Sequence, residues 1–413
     1  MTRRRVVITG MGVISPLGCD VDAFWASCVA GRSAVRQIAA FDASNLPSRI
    51  AGEVRGFQPQ RHMSEKLIGR TDRFTQFAIA SANEALHHSG AIGAVQPERL
   101  GIVLGNGGGG LGVIGNYPQI FIDKVWDTSD RLALLKLLPD AAASNLAILT
   151  GAKGPVMTLV AACVSSTQAI GEAVRLIRHD EADVVLAGGT EAGVTFSGMI
   201  GFCLLRALST RNGQPERASR PFDSGRDGFV LAEGAAMLAI EELEHALSRG
   251  APILAEISGY AQTCDAHHLV IPERNGTEAA RCIEHALGDA SIDAADVDYI
   301  SAHGTSTPHN DVAETRAIKS AFGERAARVP ISSLKSMMGH ALGATGAIET
   351  IAAVMALKSD VVPPTINFEK PDPQCDLDYV PNKARSLPVR VVLKNSFGFG
   401  GQNACLVLTR FAA

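Results

Sequence analysis

Strand-like and helix-like segments alternate along almost the whole chain, and this alternation limits the folds that the chain can adopt. The strand-like runs are short and rich in Val, Ile, Leu and Ala, and they lie at residues 5–9, 100–104, 156–160, 182–187, 235–240, 253–260, 297–302, 329–334 and 391–393. Strands separated by helices form layered α/β sheets whose strands are mostly parallel and buried. A strand, a turn of small residues and a helix follow one another around Cys163 and again between Lys335 and Glu349. We therefore predict two similar α/β halves, residues 1–251 and 252–413.

Composition and charge exclude several classes of protein. The 413 residues are 46% hydrophobic, which is enough for a large core, and the formal net charge of −4 gives no overall basic signature for nucleic acid or an anionic membrane. Eight cysteines are scattered without a C-x-x-C motif, which is typical of a reduced protein rather than a disulfide scaffold or a zinc site. The N-terminus carries an apolar run too short for a signal peptide or a membrane span. We expect a cytoplasmic protein without a metal site.

The stretch around Cys163 carries the strongest chemical signal. A Gly-Pro break at 154–155 precedes an apolar, β-branched run that predicts a buried strand, and apolar residues at helical spacing follow from Ala169 to Ile177. Cys163 is thus expected in the first turn of a helix, where unpaired N–H groups and the positive helix end favour a thiolate. The alternative is a packed core cysteine, because free cysteines are often buried. The choice between the two depends on the residues that can join Cys163.

Two histidines and a lysine also follow strand-like runs. His303 comes directly after one run, and Lys335 and His340 come after the next. In layered α/β folds functional groups gather at the carboxyl ends of strands, so these side chains can converge on Cys163. Hydrolysis would need one histidine as a base, whereas two neutral imidazoles can each donate to a thioester oxygen and stabilise an enolate. The glycine-rich turn at 398–401 offers backbone N–H groups that can form an oxyanion hole with that of Cys163.

A second glycine-rich turn follows the strand-like run at 100–104. It contains G-x-G-x-x-G at 105–110, with Asp123 downstream, and this pattern would indicate a dinucleotide site. The match is weak because a tetrad of glycines satisfies the pattern trivially, and Pro118 and further glycines interrupt the helix that should receive the pyrophosphate. A turn that another backbone or a ligand approaches closely is the simpler interpretation.

Together these motifs resemble those of the β-ketoacyl-[acyl-carrier-protein] synthases, and most of all type II, the elongating condensing enzyme of fatty-acid synthesis. The motifs are VAACVSST around Cys163, AHGTST around His303, KSMMGH around His340 and NSFGFGG near the C-terminus. RRVVITGMG, ADVVLAGGTEA, RALSTRN and RPFDSGRDGFVLAEGA also match, so the resemblance covers essentially the whole chain. Four active-site motifs in the family's order are a highly specific signal.

The resemblance implies a thiolase-like fold, with two similar α/β halves stacked in five layers, usually as a homodimer. It implies a decarboxylative Claisen condensation of a Cys-bound acyl chain with malonyl-carrier protein. Cys163 would accept the acyl group, and His303 and His340 would bind the malonyl thioester carbonyl and drive decarboxylation.

The resemblance also assigns supporting roles. Lys335 would organise the charges of the site, with Glu349 as its ion-pair partner. Phe399 would act as a gate, and the Phe399–Gly400 turn would supply the backbone donor that joins the N–H of Cys163.

Substrate and partner residues follow from the same resemblance. The predicted pantetheine contacts are Thr305 and Thr307, the predicted borders of the acyl pocket are Phe202 and Gly108, and the predicted contacts to an acidic acyl carrier protein are Lys66, Arg70 and Arg206. Charged residues on one helix face are usually no more than a solvated face, and the resemblance gives those on the 64–88 segment a partner. No resident cofactor is expected, since the carrier protein brings its own phosphopantetheine arm.

Some positions depart from the family's pattern and leave the substrate open. Gly108 stands where a bulky aliphatic residue often limits the acyl pocket, Val270 where a threonine often touches pantetheine, and Met338 where a threonine is usual. A larger acyl pocket admits longer or differently shaped chains. A ketosynthase of a type II polyketide, polyene or other secondary-metabolite pathway, possible also as a heterodimer, is therefore the alternative to fatty-acid elongation.

Three further readings stay open but are weaker. A non-catalytic chain-length factor would lack the nucleophile that is present here as Cys163. A thiolase should carry a second catalytic cysteine near the C-terminal loop, and Cys405 instead falls in a strand-like run. A nucleotide-binding protein would depend on the weak glycine pattern alone.

Overall fold

The computed structural model describes residues 3–115 and 131–412 of the chain. The strands in these residues are β1 (Val6–Ile14), β2 (Arg36–Gln37), β3 (Ile50–Ala51), β4 (Leu100–Gly105), β5 (Val156–Leu159), β6 (Val184–Glu191), β7 (Gly234–Glu242), β8 (Ala255–Cys264), β9 (Tyr299–Ser301), β10 (Ile331–Ser332), β11 (Val361–Val362), β12 (Arg385–Ser386), β13 (Val391–Gly398) and β14 (Gln402–Thr409). The helices are α1 (Val21–Val29), α2 (Glu65–Ile68), α3 (Arg73–Ser89), α4 (Leu111–Ile114), α5 (Ala133–Leu137), α6 (Ala141–Thr150), α7 (Ser165–Arg178), α8 (Phe196–Leu204), α9 (Leu243–Ser248), α10 (Thr277–Ala290), α11 (Asn310–Phe322), α12 (Lys335–Met338) and α13 (Thr345–Ser359). Strands and helices thus alternate over both parts of the chain, as the sequence predicts.

The main sheet consists of two five-stranded halves with the same topology. Its order is β10-β9-β13-β14-β8-β1-β7-β6-β4-β5. If the five strands of each half are counted along the chain, each half has the order 3-2-4-5-1, read from its outer strand to its inner one. The halves meet where β1 pairs with β8, through Val7 with Glu256 and Ile8 with Ala255. The predicted internal repeat is therefore present. The predicted boundary at 251/252 falls between α9 and β8, and the division of the chain into two folding units at this point remains a prediction.

The strand directions differ from the prediction of a mostly parallel sheet. Parallel pairs join β5 to β4, β4 to β6, β10 to β9 and β9 to β13. The pairs β6–β7, β7–β1, β1–β8, β8–β14 and β14–β13 are antiparallel. Strand–helix alternation produces parallel neighbours only where the chain crosses over through a helix, and β13 and β14 are instead joined by a short turn.

The two half-sheets and the helices form the five predicted layers. Helix α3 packs on β1 and β7, and α10 packs on β8, β14 and the neighbouring α11, so these helices form the outer layers. Helices α7 and α13 lie between the half-sheets, with α7 against β4 and β6 and α13 against β7 and β13. Burial on both sides explains why α13 is apolar nearly all round, whereas α3 has an exposed polar face. The nucleophile helix α7 is therefore a central, buried element.

The sequence predicts a first strand of residues 5–9 that ends at Gly10 and Gly12, but both glycines lie inside it. Strand β1 continues through Gly10 and Gly12 to Ile14. A Cβ at Gly10 would lie 2.1 Å from the carbonyl oxygen of Ala85, and one at Gly12 would lie 2.0 Å from that of Ser81. The glycines thus allow α3 to approach the strand closely and do not form a turn.

The strand before Cys163 is not buried as predicted. Strand β5 is the outer strand of its half-sheet, and Val156 and the following Val160 are 40% and 58% exposed. An apolar run of four or five residues does not distinguish an edge strand from a central one. The exposed edge of β5 leaves backbone groups available for pairing.

The charged and turn-rich composition of 208–234 predicts a surface segment, but much of it is buried. Phe222 and Asp223 are fully buried, and Asp223 forms an ion pair with Arg220 at 3.0 Å. The segment passes beside His340, since the Val230 carbonyl accepts from the His340 N–H and the Ala232 N–H donates to the His340 carbonyl. The charges indicated exposure from composition alone, which mutual pairing inside the protein overrides.

The sequence also predicts a helix at 20–30 and one long helix within 64–88. The first is confirmed as α1, and the Asp20 carboxylate accepts a hydrogen bond from the Ala23 N–H at 2.7 Å. The second is instead two helices, α2 and α3, with a break at 69–72. Among the described residues no helix is both long and apolar enough to cross a membrane.

Candidate active site

Cys163 lies at a sharp turn between β5 and α7. Ala162 has a φ of +48°, and a single 3-10 turn, Ala162–Val164, leads into the helix. The Ser165 hydroxyl closes this turn by accepting from the Ala161 N–H at 2.9 Å and donating to the Ala162 carbonyl at 2.7 Å. A positive φ at a residue with a Cβ is strained and is tolerated where the surroundings fix it. The turn holds the thiol of Cys163 at the start of the central helix.

The two histidines are fixed by their backbones. The N–H groups of His303 and Gly304 donate to the Glu314 carboxylate at 2.8 and 2.7 Å. The His340 N–H donates to the Val230 carbonyl at 2.7 Å, and its ring Nδ1 lies 2.9 Å from the Thr345 hydroxyl. When Thr345 donates to Nδ1, the proton of the neutral ring is on Nε2, which has no partner among the described residues.

The three predicted side chains converge. The Cys163 sulfur and one ring nitrogen of each histidine lie within 4.8 Å of one another. The two imidazole rings are 5.4 Å apart between centroids and almost perpendicular. All three residues are buried, Cys163 being 7% exposed and each histidine 2%. A carbonyl group bound at this point can contact the nucleophile and both imidazoles at once.

The electrostatics of Cys163 oppose the thiolate that the helix position was expected to favour. Burial raises the pKa of Cys163 to about 11. The Lys335 ammonium and the backbone N–H groups of Phe399 and of Cys163 itself lower the pKa, but they do not outweigh the loss of water. The resting nucleophile is therefore a thiol at neutral pH.

This thiol state predicts how alkylation of the free enzyme depends on pH. The thiolate is the reacting form, so the rate of Cys163 alkylation by iodoacetamide should rise about tenfold per pH unit from pH 7 to 9 without a plateau. Intact-protein mass after timed quenching measures the rate, and Cys163→Ser separates it from alkylation of exposed Cys264. A plateau below pH 8 would instead show that the helix position dominates burial.

Both histidines of the site are held in the neutral form at physiological pH. Burial lowers the pKa of His303 and of His340 well below the usual value, and the Lys335 and Lys394 ammonium groups lower both further. The neighbouring His340 ring acts in the same direction on His303. A neutral imidazole can donate one hydrogen bond to a developing enolate oxygen, as the sequence argument requires.

Lys335 lies in a fully buried network behind the histidines. Its Nζ donates to the His303 carbonyl and to the Glu349 carboxylate, both at 2.5 Å. Glu349 is the partner that the resemblance implied for Lys335. Because the network holds the backbone of His303 from behind, Lys335 fixes the ring's position without entering the pocket.

The oxyanion-hole prediction applies differently to its two residues. The backbone N–H groups of Phe399 and of Cys163 itself both lower the pKa of the Cys163 thiol, so both favour negative charge at this position. The Gly400 N–H donates instead to the Leu269 carbonyl at 2.7 Å. Gly400 has a φ of +81°, and this conformation allows the turn that follows Phe399. Phe399 and Cys163, rather than Gly400, are thus the pair that can supply donors to an oxyanion.

A cavity of about 480 Å³ opens from Cys163 to the surface. Both histidines, Phe399 and the two predicted pantetheine contacts line it. The Thr305 and Thr307 hydroxyls lie 2.8 Å apart within it. Most of its accessible wall is apolar, which suits a thin, mainly uncharged arm that ends in a thioester.

The two predicted acyl-pocket residues lie outside the lining of this cavity. Phe202 packs edge-to-face on Phe229 at 5.4 Å, and Phe229 packs in the same way on His340 at 5.5 Å. A Cβ at Gly108 would lie 2.8 Å from a methyl carbon of Leu111, so Leu111 fills the space that a side chain at 108 would take. Neither residue thus lines the cavity, although Phe202 packs on Phe229, which does.

The predicted carrier-protein residues are exposed. Lys66 lies on α2 and Arg70 just after it, while Arg206 follows α8 with a φ of +52° and lines the mouth of the cavity. The structure therefore places one of the three cations at the entrance to the active site and leaves all three accessible.

The glycine-rich turn after β4 meets another backbone, as expected. The N–H groups of Gly107, Gly108 and Gly343 all donate to the Glu191 carboxylate, at 2.8 to 3.0 Å. Burial raises the pKa of Glu191 to about 7. A carboxylate of the chain itself thus occupies donors that a pyrophosphate would need. Asp123 and Pro118, which entered the dinucleotide argument, lie outside the described residues.

Sequence reasoning missed three buried charges near the site. Glu314 holds the His303 backbone, Glu191 joins the glycine turn to the loop after His340, and Lys394 lies fully buried in β13. Each is a charged residue within or next to an apolar segment, and that was the available signal. Its meaning depends on contacts between distant parts of the chain, which no local pattern displays.

The donor set of Cys163, His303 and His340 could also suit a soft metal ion. The positive charges of Lys335 and Lys394 act on both histidines, however, and they would repel a cation bound between them. The set fits a nucleophile with two hydrogen-bond donors better. That the chemistry needs no metal stays a prediction.

Comparison with known proteins decides the family. The model of the β-ketoacyl synthase N-terminal domain matches residues 3–246, and that of the C-terminal domain matches residues 254–369. The chain belongs to the β-ketoacyl synthase family. It is therefore a condensing acyltransferase, and the prediction of the family from its motifs is confirmed.

Relatives of this synthase cover its full length. It is 48% identical to the 3-oxoacyl-[acyl-carrier-protein] synthase 2 of Coxiella burnetii over 99% of each chain, and 45% identical to that of Synechocystis over 100% of this chain and 99% of the other. A solved type II polyketide ketosynthase, bound to a hexaketide and in complex with its acyl-carrier protein, is 36% identical and superimposes with a TM-score of 0.91 over all of both chains. The thiolase-like fold is thereby confirmed.

Proposed function

We propose that Cys163, His303, His340 and Lys335 carry out the reaction of this synthase. The chain is a 3-oxoacyl-[acyl-carrier-protein] synthase that elongates fatty acyl chains, the function borne by full-length relatives at 45–48% identity. The observation that carries the residue assignment is the convergence of the Cys163 sulfur and two imidazole nitrogens within 4.8 Å.

The first half-reaction transfers the acyl group to Cys163. The sulfur attacks the thioester carbonyl of the acyl carrier, either one of the two adjacent imidazoles can receive the thiol proton, and the carrier's sulfur leaves and takes a proton back. The N–H groups of Phe399 and Cys163 hold the oxyanion while it exists. A buried thiol of raised pKa is protected from side reactions until a substrate carbonyl and a base are both in place.

The second half-reaction joins a malonyl unit to the bound acyl group. The bond between the malonyl carbon and its carboxylate breaks, CO2 leaves, and the electron pair forms an enolate whose oxygen accepts from His303 and His340. The enolate carbon then attacks the acyl carbonyl on Cys163 and releases the sulfur. Neutral imidazoles suit this step, because an imidazolium would also stabilise the carboxylate whose charge has to leave.

The carrier protein supplies the only prosthetic group that this chemistry needs. We infer that its phosphopantetheine arm lies in the 480 Å³ cavity, with Thr305 and Thr307 as hydrogen-bond partners. The hydroxyl pair can donate to and accept from the amides of such an arm. Cys163 lies at the inner end of the cavity, where the thioester would arrive.

We propose that the exposed cations Lys66, Arg70 and Arg206 contact the carrier protein, and charge reversal tests this. Arg206→Glu, Lys66→Glu and Arg70→Glu should each raise KM for malonyl-carrier protein about tenfold at low salt, because like charges then face an acidic partner. KM for malonyl-pantetheine, which lacks the carrier protein, should stay unchanged. Steady-state decarboxylation with both substrates measures this, and exposed Lys358→Glu is the control. Equal losses with both substrates would mean that these residues shape the pocket instead.

We propose a homodimer formed across the edge of β5. The edge strand leaves backbone groups unpaired, and exposed apolar side chains surround it, among them Ile148 of α6, which is 80% exposed, and Val160. An unpaired strand edge bordered by apolar side chains is costly in water and is satisfied by the same edge of a second copy. Sedimentation velocity should give the mass of two chains, and Val160→Glu should shift it towards one.

The cytoplasm is the proposed location. All eight cysteines lie in the described residues and are unpaired. Unpaired cysteines in this number fit a reducing compartment.

The test of the function measures the two half-reactions separately, acyl transfer to Cys163 first and CO2 release second. The protein is mixed with acyl carrier proteins loaded with chains of different length, and intact mass is recorded with Cys163→Ser as the control. Malonyl-carrier protein is then added and CO2 is measured. An acyl mass on the wild type alone, followed by CO2, supports condensation, and the preferred chain shows what the Gly108–Leu111 arrangement admits. No acyl mass across the panel from folded protein would overturn the assignment of Cys163.

A further inference from the structure

A second buried lysine, which the proposed mechanism does not use, lies behind the catalytic site. Lys394 is in β13, five residues before Phe399, and its side chain is fully buried. Its Nζ lies 2.7 Å from the Thr167 hydroxyl and also donates to the Ser396 hydroxyl, and these two hydroxyls are 2.8 Å apart. A fully buried ammonium is costly unless hydrogen bonds and opposite charge compensate it.

The opposite charge comes from Glu349. One carboxylate oxygen of Glu349 binds Lys335 at 2.5 Å, and the other lies 3.6 Å from Lys394 Nζ. That second oxygen makes no closer hydrogen bond within the described part of the chain. Lys335 and Lys394 thus share the Glu349 carboxylate. This cluster has one more positive than negative charge, and all three side chains are fully buried.

The cluster around Lys394 connects the segments that carry Cys163, Phe399 and His303. Thr167 is one helical turn beyond Cys163 and lies on the same side of α7. Ser396 is in the strand that leads to the Phe399 N–H, and Glu349 holds Lys335, which binds the His303 carbonyl. A single side chain therefore contacts the elements that carry the nucleophile and the oxyanion donor, and pairs with the carboxylate that fixes the lysine behind the histidines.

We propose that Lys394 is a positioning residue of the condensation site, whose ammonium ties the nucleophile helix to Glu349 and supplies the surplus positive charge that acts on His303 and His340 from behind. This inference rests on the proposed roles of the two histidines. It goes beyond them because it adds a residue outside the pocket whose charge acts on both rings.

The charged neighbours of Lys394 determine how it should titrate. Glu349 on α13 favours its protonated form, while Lys335 on α12 and burial oppose it, and the Cys405 thiol faces it from β14. Burial, the largest effect, lowers the pKa of Lys394 to about 8. Lys394 is therefore charged at neutral pH and loses its charge as the pH rises through about 8.

The effect on the histidines has a definite sign. The Lys394 charge lowers the pKa of both histidines, after burial and Lys335. Removing the Lys394 charge raises the pKa of both histidines. The imidazoles then become protonated at a higher pH than in the wild type, and decarboxylation is lost at that higher pH. Above about pH 8 the wild type has itself lost the Lys394 charge, and the difference should disappear.

The experiment compares Lys394→Met with the wild type in decarboxylation of malonyl-pantetheine between pH 4 and 9.5, so that the acid limb of the profile is covered. Met fills the space without the charge, and exposed Lys358→Met on α13 is the matched control for loss of one lysine. We expect the acid limb to move up by about one pH unit, which makes activity about tenfold lower on that limb, and equal activity above pH 9. A loss of the same size at every pH, or no loss, would overturn the proposal.

A second variant keeps the test decisive if Lys394→Met folds poorly. Lys394→Ala leaves space for a small amine, and methylammonium should restore activity on the acid limb but have no effect on the wild type. Absence of rescue in folded Lys394→Ala would contradict the role of the charge. A wild type that fails to release CO2 under these conditions would instead count against the proposed roles of His303 and His340, so the two failures can be told apart.

Discussion

His303→Ala and His340→Ala are each expected to form the acyl-enzyme on Cys163 and to lose decarboxylative condensation by a factor of about 10³. In the proposed mechanism the two imidazoles donate to the enolate oxygen, which exists in the second half-reaction, whereas the backbone N–H groups of Phe399 and Cys163 hold the acyl oxyanion. Acylation should therefore fall much less than condensation. Intact mass gives the first step and CO2 release gives the second.

A histidine on the surface provides the control for these variants. His285 lies exposed on α10, and His285→Ala should leave both steps unchanged. The double variant His303→Ala/His340→Ala should lose little more than either single variant if the two rings act on one oxygen as a unit. Equal losses of acylation and condensation would show that the histidines act on Cys163 rather than on the enolate.

Glu349→Gln is expected to lower the free energy of unfolding by about 3–5 kcal/mol. Glu349, Lys335 and Lys394 are all fully buried, and the carboxylate compensates both ammonium groups. An amide of the same shape removes that compensation and leaves two like charges without a counter-ion in a low dielectric. The midpoint of urea unfolding should fall markedly.

The matched control for Glu349→Gln is Glu216→Gln, the same chemical change at an exposed position, which should alter stability by less than about 0.5 kcal/mol. The apolar combination Lys335→Met/Glu349→Leu should recover part of the stability but no activity, since it removes one of the two ammonium groups together with the carboxylate, and also the hydrogen bond to His303. An unchanged midpoint for Glu349→Gln would mean that the lysines shed their protons at little cost.

The sequence could specify the reacting groups because each of them lies at the end of a strand. Cys163, His303 and His340 were placed by strand ends and small-residue turns, and the structure brings them together. Their chemical state could not be inferred in the same way. The helix start suggested a thiolate at Cys163, whereas burial, which depends on the packing of distant segments, raises the pKa to about 11.

The errors in predicting the fold from the sequence have the same physical origin. An apolar run such as that of β5 reads alike at the edge and in the centre of a sheet, and the exposure of Val160 depends on which strand lies beside it. The charged segment at 208–234 was assigned to the surface because pairing between Arg220 and Asp223 cannot be read from composition. Local patterns specify the elements, and only the assembled fold decides what each element faces.

The matching topology of the two halves has a consequence for the turn that carries the nucleophile. The 3-10 turn at Cys163 has a counterpart in Leu342–Ala344, with a positive φ at Leu342 and a central helix directly after it, so Gly343 is the position equivalent to Cys163. A Cβ at Gly343 would lie 2.5 Å from the Gly107 nitrogen, so that position has no room for a side chain. The two halves thus have the same topology but unequal turns. One half carries Cys163 at this turn, and the other carries a glycine there, which lets its loop pack closely against the loop that contains Gly107.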